Sequence, residues 1–199
     1  FASLSSLTSA EQAATAQSLA AQGVQYVAVT LKDSQGYVYY NSALPAAAQS
    51  LAANTVDASA VVSALKDAGL TPVAAICAFQ DPIAARADRT MAIHYRDAEN
   101  PQSDYLWLDA AANAGGKPWL NPYAASAVDY ISGLIEEARS LGFEQVVLTN
   151  VQFPKLSKKQ DYGTTNGVSR ADQLKADIAA LQDRLSGKVT LWFSYTLDQ

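Results

Sequence analysis

Apolar residues recur at helical spacing in four stretches, and each stretch stops at a glycine. The first runs from about Thr8 to Gln22; Thr8 and Glu11 have capping-box spacing and Gly23 ends it. The second runs from about Asp57 to Ala68, with Val61, Leu65 and Ala68 on one face and Gly69 after it. The third is expected to start at Asn121-Pro122, an N-cap followed by proline at the first helical position. Its inner stripe is Val128, Ile131, Ile135 and Ala138, and Gly142 stops it. The fourth starts near Ser169, turns Leu174, Ile178, Leu181 and Leu185 inward, and ends at Gly187. Apolar runs follow each glycine almost at once: VQYVAVTL (24–31), PVAAICAF (72–79), FEQVVLT (143–149) and VTLWFSY (189–195). They are mostly continuous rather than alternating, which predicts strands covered on both faces. Helix then strand, repeated with short links, predicts a parallel α/β sheet with crossover helices.

Link lengths point to the working side. Helix-to-strand links are one to three residues, whereas strand-to-helix links span 32–56, 80–120 and 150–168. The long links gather sequence where the C-terminal ends of the strands emerge, the side on which parallel α/β folds bind ligands. Long links are costly unless packing or function orders them.

Composition narrows the chemistry. The 199 residues, 49% apolar and 17% charged, suit one globular domain over 1–199. A net charge of −5 and the lack of a basic stripe argue against nucleic acid as a partner. Lys155, Lys158 and Lys159 form one short basic patch, read as a solvated loop rather than a phosphate site. No apolar run approaches the ~18 residues of a membrane span. The chain begins at Phe1 without Met and reads as a processed or trimmed product. With one cysteine, Cys77, and one histidine, His94, no internal disulfide forms and no N/S-type zinc site is expected. No cofactor is expected, and a carboxylate-bound Ca²⁺ or Mg²⁺ is unsupported.

The long loops carry aromatics beside polar groups. KDSQGYVYYNSALP (32–45) has a turn at Gln35-Gly36 and a small strand over Tyr37–Tyr40. The second loop holds Phe79, Asp81, Arg86, Arg89, His94 and Tyr95, then Tyr105, Trp107, Asp109 and Trp119. In it YLWLD (105–109) alternates like a short strand. Rings beside Asp, Asn and Gln suit sugars, because a ring stacks on a pyranose while the polar groups bond its hydroxyls. Trp107 and Trp119 have a second role open to them, pinning the loop to the rim.

KDSQGYVYYNSALP resembles the pattern K-D-x-x-G-x-V-x-Y-x-S-x-x-P. FQDP (79–82), WLNPY (119–123) and GFEQVVLTNVQFP (142–154) follow in order. Together they resemble a glycoside hydrolase-like family of unknown function whose hallmark is a strand ending F-D-Y-(V/I)-R-F-P. The resemblance implies a (β/α)8 TIM-barrel-like fold related to the α-amylase-type glycosidases. It implies about strands one to five of eight, with the first cut short near Phe1-Ala2-Ser3. The remaining strands would come from the rest of a precursor or from another chain, and an open sheet would expose apolar barrel interior. The resemblance further implies a bacterial, extracellular or cell-surface protein whose ligand is a polysaccharide or cell-wall glycan.

The chain departs from that pattern where the chemistry lies. The hallmark Asp falls on Thr149, the Tyr on Asn150 and the Arg on Gln152; other family acids fall on Thr30 and Asn121, and an Arg on Ala75. Lys32, Asp33, Gly36, Tyr37, Phe79, Asp81, Pro82, Trp119, Pro122, Tyr123, Phe153 and Pro154 are retained. Glycoside hydrolysis normally needs two carboxyl groups, ~5–5.5 Å apart in retaining and ~6.5–9.5 Å in inverting enzymes. The implied state is therefore a catalytically impaired barrel. Its substrate-binding candidates are Lys32, Tyr37, Trp107, Trp119, Asn121, Thr149, Asn150 and Gln152. Two alternatives stand beside it: an active glycosidase with Asp33 and Asp81 as the catalytic pair, and a non-catalytic structural module of a larger surface protein. On the bland reading Asp33 is a turn acceptor and Asp81 a cap.

Overall fold

The computed structural model of the chain describes residues 9–100 and 102–194. Thr8, Phe1-Ala2-Ser3 and the end of the last expected strand lie outside the described residues. In chain order the elements begin with α1 (Ser9–Ala21), β1 (Tyr26–Lys32), β2 (Val38–Tyr40), β3 (Leu51–Val56) and α2 (Ala58–Asp67). They continue with β4 (Thr71–Cys77), α3 (Pro82–Ala87), β5 (His94–Tyr95) and α4 (Ala125–Ser140). β6 (Gln145–Thr149), β7 (Gln160–Asp161), α5 (Arg170–Leu185) and β8 (Thr190–Ser194) complete the order.

The main sheet has the order β3-β2-β1-β4-β6-β8. β1, β4, β6 and β8 are the four expected strands and run parallel. Their crossover helices α2, α4 and α5 give the expected alternation. At one end β2 turns back antiparallel to β1, and β3 lies parallel to β2. β3 was not anticipated, because LAANTV carries no strand-like alternation.

One face of the sheet is packed. Val27, Val29, Leu31, Ala74, Ile76, Val146 and Leu148 are buried in one core with Val61, Leu65, Ile131, Ile135 and Leu181. The other face is open, and here the expectation of strands covered on both sides fails. Burial alternates along β1 and β8, and Tyr26 and Trp192 are 58% and 53% exposed. These side chains share a face with Thr30, Ala75 and Val147 in paired register. In a closed barrel such a face fills the interior; the described strands do not close.

Two local starts differ from expectation. α4 begins at Ala125, not at Asn121-Pro122, and its cap Ala124 offers no side-chain acceptor. The Asn121 amide oxygen accepts from the Tyr123 N–H at 3.0 Å, and its NH₂ donates to the Tyr162 carbonyl at 3.2 Å. Asn121 therefore forms a turn ahead of the helix. YLWLD makes only a single bridge, His94 to Leu106, rather than a strand. Asp109 is drawn instead onto the Lys117 N–H and the Trp119 indole N–H.

Asp177 on α5 is buried. One carboxylate oxygen accepts from the Gln173 amide at 2.8 Å, while the other has no partner among the described residues. Burial pushes its pKa up from 3.8 to about 6, against the smaller opposing effect of the Gln173 bond. The folded chain thus holds this proton more tightly than the unfolded chain. The resulting stability is present below the ordinary carboxylate value and is lost as pH rises through about 6. Asp177→Asn is expected to raise unfolding stability by about 1–3 kcal/mol at pH 8 and by little at pH 4. Urea denaturation at both pH values checks this; a gap between variant and parent that does not change with pH refutes it.

Candidate functional site

The C-terminal ends of β1 and β4 meet at a buried ion pair. Lys32 Nζ lies 3.0 Å from Asp81 Oδ2, and both side chains are fully buried. The register of β1 on β4 shifts by one residue between Thr30 and Lys32. That irregularity turns the Lys32 stem under the loops instead of onto the open sheet face. Lys32 also donates to the Cys77 carbonyl at 2.6 Å. Asp81 Oδ1 accepts from the Ile83 and Ala84 N–H groups, capping α3, and Tyr130 donates to Oδ2 at 3.3 Å. Burial, reinforced by the Asp81 charge, raises the pKa of Tyr130, so it stays a hydroxyl donor. Cys77 is the expected buried thiol, its pKa raised by burial.

Gly36 closes this unit. It has φ +87°, and a Cβ there would lie 2.4 Å from Asp81 Oδ1. Asp33 makes the preceding turn: its Oδ1 accepts from the Gln35 and Tyr37 N–H groups, and its Oδ2 accepts from the Tyr39 hydroxyl at 2.8 Å. The Lys-Asp-x-x-Gly segment and the Asp-Pro of the next loop are thus one packed object.

The other candidate residues are distributed around it. Thr149 ends β6 opposite Cys77 and Ser194. Asn150 has φ 53° and its amide donates to the Gln80 side chain. Gln152 is exposed, and Tyr37 is exposed at the rim. Trp107 and Trp119 are both buried, Trp119 held by its indole N–H on Asp109 at 2.9 Å. Lys117 reaches the Gln35 side chain and ties the first long loop to the second. Glu137 of α4 accepts from the Tyr40 and Ser42 hydroxyls and the Ala43 N–H, docking the first loop on that helix.

A pocket of about 640 Å³ opens between the second and third long loops. Tyr95, Tyr105, Trp107, Leu156, Lys155 and Lys159 line it. None of Lys32, Asp33, Asp81, Thr149, Asn150 or Gln152 does. Sequence reasoning noted Tyr95, Tyr105 and the lysines without bringing them together. The signal was the position of KLSKKQ directly after Phe153-Pro154, but its partner strand is 65 residues away at His94-Tyr95, paired with Gln160-Asp161. Among the described residues no cluster of His, Cys, Asp and Glu could hold a metal ion.

The fold is a mixed α/β architecture with a mainly parallel sheet and its loops built up at the strand ends, and solved structures share it. A crystal structure of a hypothetical protein from Ruminiclostridium thermocellum ATCC 27405 superposes with TM-score 0.81 at 20% identity, covering 96% of this chain and 93% of that one. The α-galactosidase from Thermus thermophilus aligns with TM-score 0.61 at 10% identity, over 97% of this chain and 36% of that one. The α-L-fucosidase isoenzyme 2 from Paenibacillus thiaminolyticus aligns with TM-score 0.59 at 14% identity, over 95% and 29%. At these identities the likeness is one of fold, and the chain spans about a third of each glycosidase. No curated protein matches it in sequence. The chain belongs to the family described as "Putative glycosyl hydrolase domain", whose profile matches residues 1–192.

Breaking the buried pair from either side should be severe. Lys32→Met or Asp81→Asn alone is expected to cost about 3–5 kcal/mol, because each leaves a lone buried charge. The double variant, which keeps an amide to cap α3, should lose clearly less than the sum of the two. Chemical denaturation of the full cycle measures this coupling, and additive losses would rule the pair out as a unit.

Proposed function

We propose that this chain holds a carbohydrate on the loops at the C-terminal ends of its strands and does not hydrolyse it. Family membership, and a fold shared with glycosidases, support a carbohydrate as the ligand class. The observation that carries the reading is the state of the carboxylates. Asp33 accepts three hydrogen bonds from its own turn and loop, and Asp81 is sealed in an ion pair with no solvent access. Asp109, the one acid lining the large pocket, has one oxygen on the Lys117 N–H and the other on Trp119. An acid and a base placed about a glycosidic bond are what hydrolysis requires. Thr149, Asn150 and Asn121 can bond hydroxyls but cannot take either role.

The pocket suits a sugar ring. Tyr105 and Leu156 are 65% and 75% exposed at its rim and offer apolar surface to one face of a pyranose. The proposal includes a protein working at or beyond the cell surface, a reading that rests on the family resemblance.

Binding and turnover are separable on one polysaccharide panel. Affinity electrophoresis should show retardation by at least one polymer, while reducing-sugar assays show no release. Tyr105→Ala should weaken that binding by about tenfold, the loss of one aromatic contact. Thr149→Asp should bind as the parent and release no sugar, since the residues at 30, 75 and 121 also differ from the family pattern. Sugar release by the parent that Asp33→Asn or Asp81→Asn abolishes would overturn the reading.

A further inference from the structure

We infer that the sugar taken by the pocket carries a carboxylate, so that the ligand is an acidic polysaccharide of uronate type; this rests on the carbohydrate reading above. The pocket's charges are unbalanced. Lys155 and Lys159 line it against a single acid, Asp109, whose oxygens are turned to the Lys117 backbone N–H and the Trp119 indole N–H. Among the described residues no carboxylate forms an ion pair with Lys155, Lys158 or Lys159. This local excess of positive charge stands out on a chain of net charge −5. A short basic run in a loop is ordinarily a solvated surface, but here the fold builds it in. Gln160 is buried, and its side chain accepts from the Ser157 N–H at 3.0 Å and donates to the Lys155 carbonyl at 2.8 Å. The Lys159 carbonyl accepts from the Arg96 N–H at 2.7 Å, and its ammonium sits 5.5 Å from the centre of the Tyr95 ring. The loop is stapled so that Lys155 and Lys159 line the pocket together with Tyr95 and Tyr105. A ring bearing an anion matches that arrangement: its apolar face meets Tyr105 and its carboxylate meets the lysines. Neutral sugars satisfy the aromatic surface but bring no anion to the two ammonium groups.

Homogalacturonan tests this directly, because methyl esterification removes its charge without changing its backbone. The 199-residue chain should bind the de-esterified polymer about tenfold more tightly than the esterified one, the worth of a charge-assisted contact. Added salt should erode that preference. Lys155→Gln with Lys159→Gln should abolish it while the thermal midpoint stays put, since both side chains are exposed. Equal binding of the two polymers, or a preference that survives the double variant, overturns the inference and leaves the carbohydrate reading intact. Binding of dextran sulfate without galacturonan overturns the carboxylate in favour of a sulfate. Binding of polyglutamate as tight as that of galacturonan, or no polysaccharide binding at all, overturns the carbohydrate reading and this inference with it.

Discussion

The Lys32–Asp81 pair is the interaction on which the loop side of the molecule depends. Two opposite charges without solvent contact are tolerated only if each finds its remaining partners inside the protein. Asp81 meets that requirement with two backbone N–H groups and the Tyr130 hydroxyl, and Lys32 with the Cys77 carbonyl. Those partners come from the end of β4, the start of α3 and the middle of α4. Satisfying one buried pair therefore fixes where two strand ends, a short helix and a crossover helix stand relative to one another. Gly36 belongs to the same constraint, since a side chain there would displace the carboxylate that caps α3.

The same economy governs three carboxylates of the long loops. The two carboxylates retained from the family pattern, and Asp109 with them, are used to build the loops. Asp33 shapes the first, Asp81 anchors the second, and Asp109 holds Lys117 and Trp119 in place. These three acids are engaged in architecture, while Asp97 and Asp161 line a second, smaller pocket with His94 and Asn121. The large pocket is displaced from the strand-end residues and made by two loops that meet through the β5–β7 pairing.

The open sheet face sets this chain apart from a closed barrel. Tyr26 and Trp192 stand in the register that fills a barrel interior, yet both face solvent among the described residues. Trp192 finds a partial substitute by donating its indole N–H to Gln145 at 2.9 Å. The helix-covered face meanwhile holds a continuous core, so the four parallel strands are secured from one side.

The sequence by itself determined the alternation of helices and parallel strands, since apolar periodicity, caps and glycine stops are local signals. Asp57 and Ser169 cap their helices as their positions imply. It also determined that the long loops gather on one side, because link lengths can be counted directly. Local signals failed where a side chain had a distant alternative. Asn121 left its capping role because Tyr162, 41 residues on, offered it a carbonyl. Asp109 left a strand pattern because Trp119 and Lys117 gave it donors. Continuous apolar runs suggested coverage on both faces, but whether a second face is covered depends on what packs there. The bulge that turns Lys32 inward, the closing of Gly36 over Asp81, and the meeting of Tyr95 with Lys159 were decided only by the tertiary structure. Each depends on segments far apart in the chain, whose approach is set by packing and electrostatics rather than by the residues beside them.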